Sequence, residues 1–582
     1  MRQFLKFILA TLVGLFLFCF LGFLFIMGIA ASASKDSKPE LEANSVLKLD
    51  LNYQIPEQSV ANPFAAFDFN TMKTRKATGV QDVIEAIRAA AKDDKIKGIY
   101  LPMGVNTNGM ATLEALRNAL LDFKKSGKFI YAYGETVSQR SYYLASVADK
   151  IILNPSGGME LTGFGREIMY YKNMLEKIGV EVQDFHCGAF KSAIEPYLRD
   201  KMSDANREQL TAVYSDLYAG FLKNIATSRK IDEGTLNDAI NNLQAVMPED
   251  AMNLKLADQL GYYDEIESAI KDKVGLKKSD ELKMVDQAKY VTTLDKETDA
   301  ASKIAVIYAD GEIVDGDGQE GEIGGQEFAK IIRKARQDEK VKAIVLRVNS
   351  PGGSALASDI MWRELKLAKK DKPLVISMGD LAASGGYFIA CMGDRIFAQP
   401  NTITGSIGVF GLIPNAKKLL NEKLGITTDQ VEVTKHGSIG LVTNPLDEEE
   451  KAMIQRSVEK TYREFKSRVA EGRKKDTAYI ETIAQGHVWT GNQGMKNGLV
   501  DEIGSLDDAI RFAAKQANLK EYKLKAYPEE KSLGEQIAES FADTKAKWMR
   551  EEMGEQQYNM YQTLKRLEHF KGVQMRAPME LY

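Results

Sequence analysis

The chain of 582 residues has little of what builds metal centres and covalent frameworks: 3 cysteines, 4 histidines and 3 tryptophans. Cys19 lies in an apolar run apart from Cys187 and Cys391, which excludes a disulfide framework and leaves one Cys187–Cys391 bridge open. His186, His436, His487 and His569 are scattered with no pair at helical ligand spacing, so no metal is expected. An excess of charge of one sign is also missing. With 77 basic against 81 acidic side chains the net charge is −4, which gives no polybasic field, and no nucleic-acid partner is expected. No phosphate-cradling glycine motif occurs, and no cofactor is expected.

At the N-terminus charge is missing altogether. From Phe7 to Ala31 every residue is uncharged and most are apolar, a run long enough to cross a bilayer as one helix. A secretory signal has a shorter apolar core of roughly 7–15 residues, so the run reads as an uncleaved anchor although "ASA" before Lys35 resembles a cleavage site. Arg2, Lys6 and the amino terminus place positive charge ahead of it. That leaves 1–6 in the cytoplasm and the working part of the chain outside.

Beyond the anchor the chain repeats itself. "VQDVIEAIRAAAKDDKIKGIYL" from Val80 matches "GQEFAKIIRKARQDEKVKAIVL" from Gly325, and "GETVSQRSYYLASVADKIILN" from Gly134 falls on "GDLAASGGYFIACMGDRIFAQ" from Gly379, both at a spacing of 245 residues. "LADQLGYYDEI" from Leu256 echoes "LVDEIGSLDDA" from Leu499. The reading is a duplicated domain: a front repeat over 46–267, a charged linker over 268–302 and a rear repeat over 303–527. In each, short apolar runs such as "GIYL" and "KIILN" alternate with longer helix-period segments, which predicts an α/β fold of parallel strands covered by helices. Asp204 is expected to cap one long helix, and the charged, helix-prone segment 528–582 is expected to be a solvated or subunit-contacting helical tail.

Comparing the repeats singles out a small set of residues. Ser384, Gly385 and Gly386 fall on Gln139, Arg140 and Ser141, and Pro351, Gly352 and Gly353 fall on Asn106, Thr107 and Asn108. A serine and glycines required by the fold would be needed in both copies, whereas functional ones can be lost from one. A strand ending in Pro-Gly-Gly before a helix leaves backbone N–H groups pointing outward, as an oxyanion site requires. The serine needs a base. Of the histidines, His436 alone lies in the central stretch of the rear repeat, in a polar loop; the alternative is a lysine made basic by desolvation. Lys191, in "FHCGAFKSAIEPYLRDKMS", has small and apolar neighbours atypical of a solvated lysine, and "VTKHGSIGLVTNP" puts no lysine in the matching place.

The blocks "GAFKSAIEPYLRDKMS", "LRVNSPGGS", "SMGDLAASGGYFIA", "NTITGSIGVFG" and "IAQGHVWTG", in that order, resemble the signal peptide peptidase A (protease IV) family in its long, two-repeat form. The resemblance implies tandem Clp-protease/crotonase-like α/β domains behind one transmembrane helix, arranged as a bowl-shaped homotetramer on the outer face of the inner membrane. It implies a Ser-Lys dyad with Ser384 as nucleophile and Lys191 as base, Ser406 orienting the lysine, and backbone N–H groups of Gly352 or Gly353 and of Gly385 holding the oxyanion. The implied substrates are peptides, cleaved signal sequences among them, beside the membrane. A crotonase-type acyl-CoA enzyme and a catalytically silent membrane scaffold are the rival readings. Tyr387 and Phe388 read as core, Trp489 as packing, His487 as a satisfied loop or core histidine, Asp380 as a turn or cap residue, and Asn349 and Ser350 as shaping the glycine loop.

Overall fold

In the computed structural model, residues 6–7, 11–18, 20–22, 41–59, 67–68, 73–74, 78–294, 299–319, 321–529 and 572–578 are described. Of the expected membrane span, the described residues 7, 11–18 and 20–22 are helical, and the rest lie outside the described residues. Among the described residues no helix is long and apolar enough to cross a membrane.

The front repeat opens with β1 (Ser45–Lys48), β2 (Ile96–Met103), β3 (Phe129–Ser138) and β4 (Lys150–Glu160). β5 (Glu181–Cys187) leaves this sheet for another, and β6 (Gln259–Leu260) and β7 (Met284–Asp286) return to it. The order is β6-β4-β3-β2-β1-β7, and every pairing is parallel. Helices cross between strands as a parallel sheet demands. α1 (Val80–Lys92) buries Val80, Val83, Ile84 and Ile87, one face of a 3.6-residue period, with Asp82 in its first turn and Lys92 in its last. α2 (Met110–Lys124), α3 (Gln139–Ala145) and α4 (Asp204–Arg229) follow. The cap of α4 is Ser203, whose hydroxyl accepts from the Asn206 N–H; Asp204 is its first residue, where its charge suits the helix dipole.

The rear repeat supplies β8 (Lys303–Asp310), β9 (Glu312–Val314), β10 (Glu322–Gly324), β11 (Val341–Ser350), β12 (Gly352–Ser354), β13 (Leu374–Ala383), β14 (Arg395–Ala398), β15 (Ile403–Gly405), β16 (Val409–Asn415), β17 (Val488–Thr490), β18 (Glu502–Ile503) and β19 (Lys523–Tyr527), and the segment after it supplies β20 (Gln574–Arg576). The rear sheet runs β17-β15-β13-β11-β8-β19, with β14 pairing β13 and β18. Its helices include α5 (Gly325–Gln337), α6 (Ala355–Asp371), α7 (Gly385–Ala390) and α8 (Glu448–Arg473). β11 and β13 are buried almost throughout and read as near-continuous apolar runs, as strands covered on both faces do.

Two boundaries differ from the sequence reading. The segment expected as a linker folds into the front repeat: β7 pairs β1 at its edge, as β19 pairs β8 in the rear sheet. Within the expected helical tail, 530–571 lie outside the described residues, and β20 is an extended strand.

A third sheet joins the copies, in the order β10-β9-β12-β20-β16-β5. Here β5 of the front repeat runs antiparallel to β16 of the rear, from Val409 opposite Cys187 to Asn415 opposite Glu181. The copies are pinned elsewhere by buried polar contacts. Arg347 makes a two-pronged pair with Glu57 at 2.8 and 3.0 Å, and Asp380 accepts from the N–H groups of Ala111 and Thr112 at 2.8 and 3.0 Å, capping α2 across the interface. Asp380 is thus a cap residue.

Candidate active site

Ser384 stands where β13 ends and α7 begins, with φ 54° and ψ −114°. Positive φ is costly for a residue with a Cβ and persists only where the surroundings over-determine it. They do so here: the Ser384 N–H donates to Gly405 O at 2.8 Å and the Phe388 N–H to Ser384 O at 2.8 Å. Behind this turn Tyr387 and Phe388 are core residues, 0% and 1% exposed.

The glycines after the serine answer a packing demand. A Cβ on Gly385 would lie 2.8 Å from Ser358 Oγ and 3.1 Å from Gly352 Cα, and one on Gly386 would lie 2.6 Å from Ser350 O. The Pro-Gly-Gly loop therefore presses directly on the first turn of α7. In that loop Gly352 has φ 92°, and a Cβ there would fall 2.5 Å from Gly385 N. Ser350 and Asn349 shape it: the Gly352 N–H donates to Ser350 Oγ at 3.1 Å, and Asn349 Oδ1 accepts from the Leu381 N–H at 3.0 Å. Because its N–H is taken by Ser350, Gly352 is the weakest of the three expected oxyanion donors. The Gly385 N–H, in the first turn of a helix with no intrahelical acceptor, stands directly after the serine, and Gly353 lies opposite Met575 of β20.

Lys191 follows β5 by four residues, so the strand that crosses between the copies carries it to the rear repeat. Its Nζ lies 2.7 Å from Ser384 Oγ and 3.0 Å from both the carbonyl oxygen and Oγ of Ser406. A neutral amine has one lone pair and two N–H groups, and these three neighbours match that inventory. Lys191 is 2% exposed, and burial holds its ammonium well below the ordinary lysine value. Its stem passes two glycines: a Cβ on Gly408 would sit 3.0 Å from Lys191 Cδ, and one on Gly486, at φ 80°, 2.7 Å from Lys191 Cβ. Ser406 also has positive φ, 50°, and its N–H donates to His487 O at 2.7 Å. Ser384, Lys191 and Ser406 thus meet in one buried site built from both repeats, with Gly385 after the serine and Gly352 packed against it.

The sequence pattern of peptidase family S49 matches residues 122–277 and 366–520, one stretch in each repeat. Protease 4 of Salmonella typhi is 37% identical over 529 residues, 88% of this chain and 85% of that protein. The chain belongs to peptidase family S49. Protease 4 of Haemophilus influenzae is 33% identical over 86% of this chain and 84% of its own, and the chloroplastic serine protease SPPA of Arabidopsis thaliana is 33% identical over 82% and 69%. A solved structure of a ClpP1 mutant from Listeria monocytogenes overlaps 35% of the chain and 94% of its own at 17% identity and a TM-score of 0.24. The fold class here rests on the strand order above: an α/β serine peptidase with the S49 domain twice in one chain.

Other residues of this S49 peptidase support the site without being legible from motif or spacing. Gln209, fully buried on α4, donates to Phe190 O at 2.9 Å and Ser192 Oγ at 3.1 Å, bracketing Lys191, and accepts from the Val488 N–H at 3.2 Å. It ties the lysine loop of one repeat to β17 in the other, next to His487, whose carbonyl holds the Ser406 N–H. His487 is stacked on Trp489 at 3.9 Å with Phe190 at 4.5 Å on it, and burial lowers its pKa, so it is a packed loop histidine. His436 lies with Asp447 and Glu450, one group of metal-ligating types among the described residues. Those two carboxylates form the capping box of α8, which accounts for their placement. Cys187 and Cys391 are both free.

Proposed function

We propose that this S49 peptidase is a membrane-anchored endopeptidase whose nucleophile is Ser384 and whose general base is Lys191. The observation that carries the reading is the 2.7 Å approach of Lys191 Nζ to Ser384 Oγ inside a site where the amine is 2% exposed. In the buried site the neutral amine accepts the Ser384 proton as Oγ attacks a peptide carbonyl carbon. Ser406 accepts the two N–H groups of the amine and so aims its lone pair at Oγ. The oxyanion that forms is met by the N–H groups of Gly353 and Gly385. The C–N bond then breaks, the protonated lysine returns the proton to the leaving amine, and water hydrolyses the acyl-enzyme by the same relay.

The uncharged stretch from Phe7 to Ala31 supports an anchor, and the charge ahead of it supports a site on the extracytoplasmic side of the inner membrane. Peptides released at a bilayer, cleaved signal sequences among them, fit that position. A homotetramer is part of the same proposal. The test is peptide hydrolysis by Lys191→Ala and Ser384→Ala, made separately and checked for folding. Both are expected to lose activity by at least about a hundredfold, the scale of a lost general base. Near wild-type turnover in either folded variant refutes the dyad.

A further inference from the structure

The third sheet contains a strand that does not belong to its neighbours in the chain. Between β12, which carries the glycine loop, and β16 there is room for one strand, and it is filled by β20 from the far C-terminus. β20 runs antiparallel to β12, with Gly352 opposite Arg576, Gly353 opposite Met575 and Ser354 opposite Gln574. The Ala577 N–H donates to Pro351 O at 2.8 Å and the Ala355 N–H to Val573 O at 3.2 Å, so by ladder alternation Gly353 and Met575 form the hydrogen-bonded pair between them. An extended segment paired with the free side of a strand in this way, here inserted between two of them, is the geometry of peptide capture by strand addition. The Met575 carbonyl oxygen lies where it would be 2.1 Å from a Cβ on Gly352 and 3.1 Å from one on Gly385. A carbonyl in that place is at the two glycines beside the nucleophile, and the residue after it falls on the leaving-group side.

That residue is Arg576, and it is held by charge. Its Nη1 and Nη2 donate to the two carboxylate oxygens of Glu312 at 2.7 and 2.8 Å, with the side chains 6% and 19% exposed. Glu312 is fixed by the same backbone that forms the loop, because its neighbour Ile313 pairs with Gly353. Beside the pair opens a cavity of about 550 Å³, lined among others by Glu312, Asp310, Pro351, Leu381, Tyr197 and Arg576. A planar guanidinium against a rigid carboxylate fork is a selective arrangement, stronger than a neutral hydrogen bond and geometrically demanding.

Resting on the peptidase reading above, we propose that Glu312 is a specificity-determining residue: it forms an acidic subsite for an arginine or lysine immediately after the scissile bond. Residues 573–577 of the chain's own C-terminus occupy that track and compete with peptide substrate for it.

The test uses two fluorogenic peptides that differ only in carrying Arg or Ala at the position after the cleaved bond, with cleavage sites read by mass spectrometry. The enzymes are the full-length wild type, Glu312→Gln, Glu312→Arg and Arg576→Ala. The wild type is expected to favour the Arg peptide in kcat/KM by roughly 10- to 100-fold, the span of a hydrogen bond to a charged group. Glu312→Gln is expected to lose most of that ratio, and Glu312→Arg to prefer a third peptide with Glu at the same position. Arg576→Ala is expected to lower KM, since the internal competitor is weakened. Equal cleavage of the Arg and Ala peptides by the wild type, or a ratio untouched in Glu312→Gln, overturns the subsite while leaving the dyad intact. Wild-type enzyme that cleaves neither peptide, or cleavage that survives Ser384→Ala, overturns the peptidase mechanism and the subsite with it.

Discussion

Gln209→Leu is the substitution that most sharply separates a positioned lysine from one that is merely near. The change keeps most of the side chain's bulk and removes its polar atoms at a fully buried site. The N–H of Val488 loses its acceptor at 3.2 Å and the buried Asn206 Oδ1 its donor at 3.0 Å, while the Phe190 carbonyl loses one donor at 2.9 Å but keeps the Ser192 N–H, and the Ser192 hydroxyl can rotate to another partner. Each orphaned buried polar group costs about 1–3 kcal/mol, so the Val488 N–H and Asn206 Oδ1 together cost roughly 2–6 kcal/mol. For a repeat of this size that corresponds to a fall in thermal midpoint of roughly 5–20 °C. The bonds lost at Phe190 and Val488 lie next to Lys191 on one side and on β17, whose neighbour His487 holds the Ser406 N–H, on the other. Their loss loosens the amine relative to Oγ, and a misplacement of about 1 Å costs on the order of a hundredfold in turnover. Calorimetry and steady-state peptide hydrolysis on the same preparation read both effects, and Gln209→Glu, which keeps an acceptor for the Val488 N–H, is expected to fall between Leu and wild type. A Gln209→Leu enzyme with an unshifted midpoint and kcat within about twofold of wild type, against the hundredfold expected, would refute the reasoning.

Two further outcomes follow from the site. Gly352→Ala puts a Cβ 2.1 Å from Met575 O and 2.5 Å from Gly385 N on a backbone at φ 92°, and by displacing the Gly385 N–H is expected to lower kcat by about a hundredfold or more, the scale of a lost oxyanion donor, in a fold that still shows native circular dichroism. Lys191→Met removes a group whose folded pKa is lowered by burial. Between that lowered value and the ordinary lysine value the unfolded chain binds the proton and the folded one does not, so wild-type stability rises with pH across the window. The methionine variant is therefore expected to be inactive yet more stable than wild type at neutral pH in urea unfolding, with the gap closing as pH approaches the ordinary lysine value.

Much of the architecture was legible because duplication makes a sequence its own comparison. The spacing that aligned Ser384 with Gln139, and Gly352 and Gly353 with Thr107 and Asn108, isolated residues that the fold itself does not need twice. Lys191 was legible from its small, apolar neighbours, which announce burial. Gln209 was not, since one polar residue on a long helix has no pattern to set it apart from solvated neighbours until the helix is docked. Asp380 and the Glu57–Arg347 pair act across the two copies, and contacts of that kind leave no local trace. β20 was hidden for a similar reason: three residues, Gln574 to Arg576, carry no alternation, and their extended form is imposed by the two strand edges on either side. The linker was misplaced because a charged composition describes the surface of β7 and its flanking helices as well as it describes a solvated connection.

The central claim is that an uncharged Lys191 activates Ser384, and the rate at which a fluorophosphonate phosphonylates Ser384 Oγ, with loss of fluoride, as a function of pH tests it most directly. The wild-type rate is expected to rise with pH through a single limb well below the ordinary lysine value, and Lys191→Ala is expected to be slower by about a hundredfold or more with that limb gone. A wild-type limb at the ordinary lysine value, or a limb that persists in Lys191→Ala, would contradict the account.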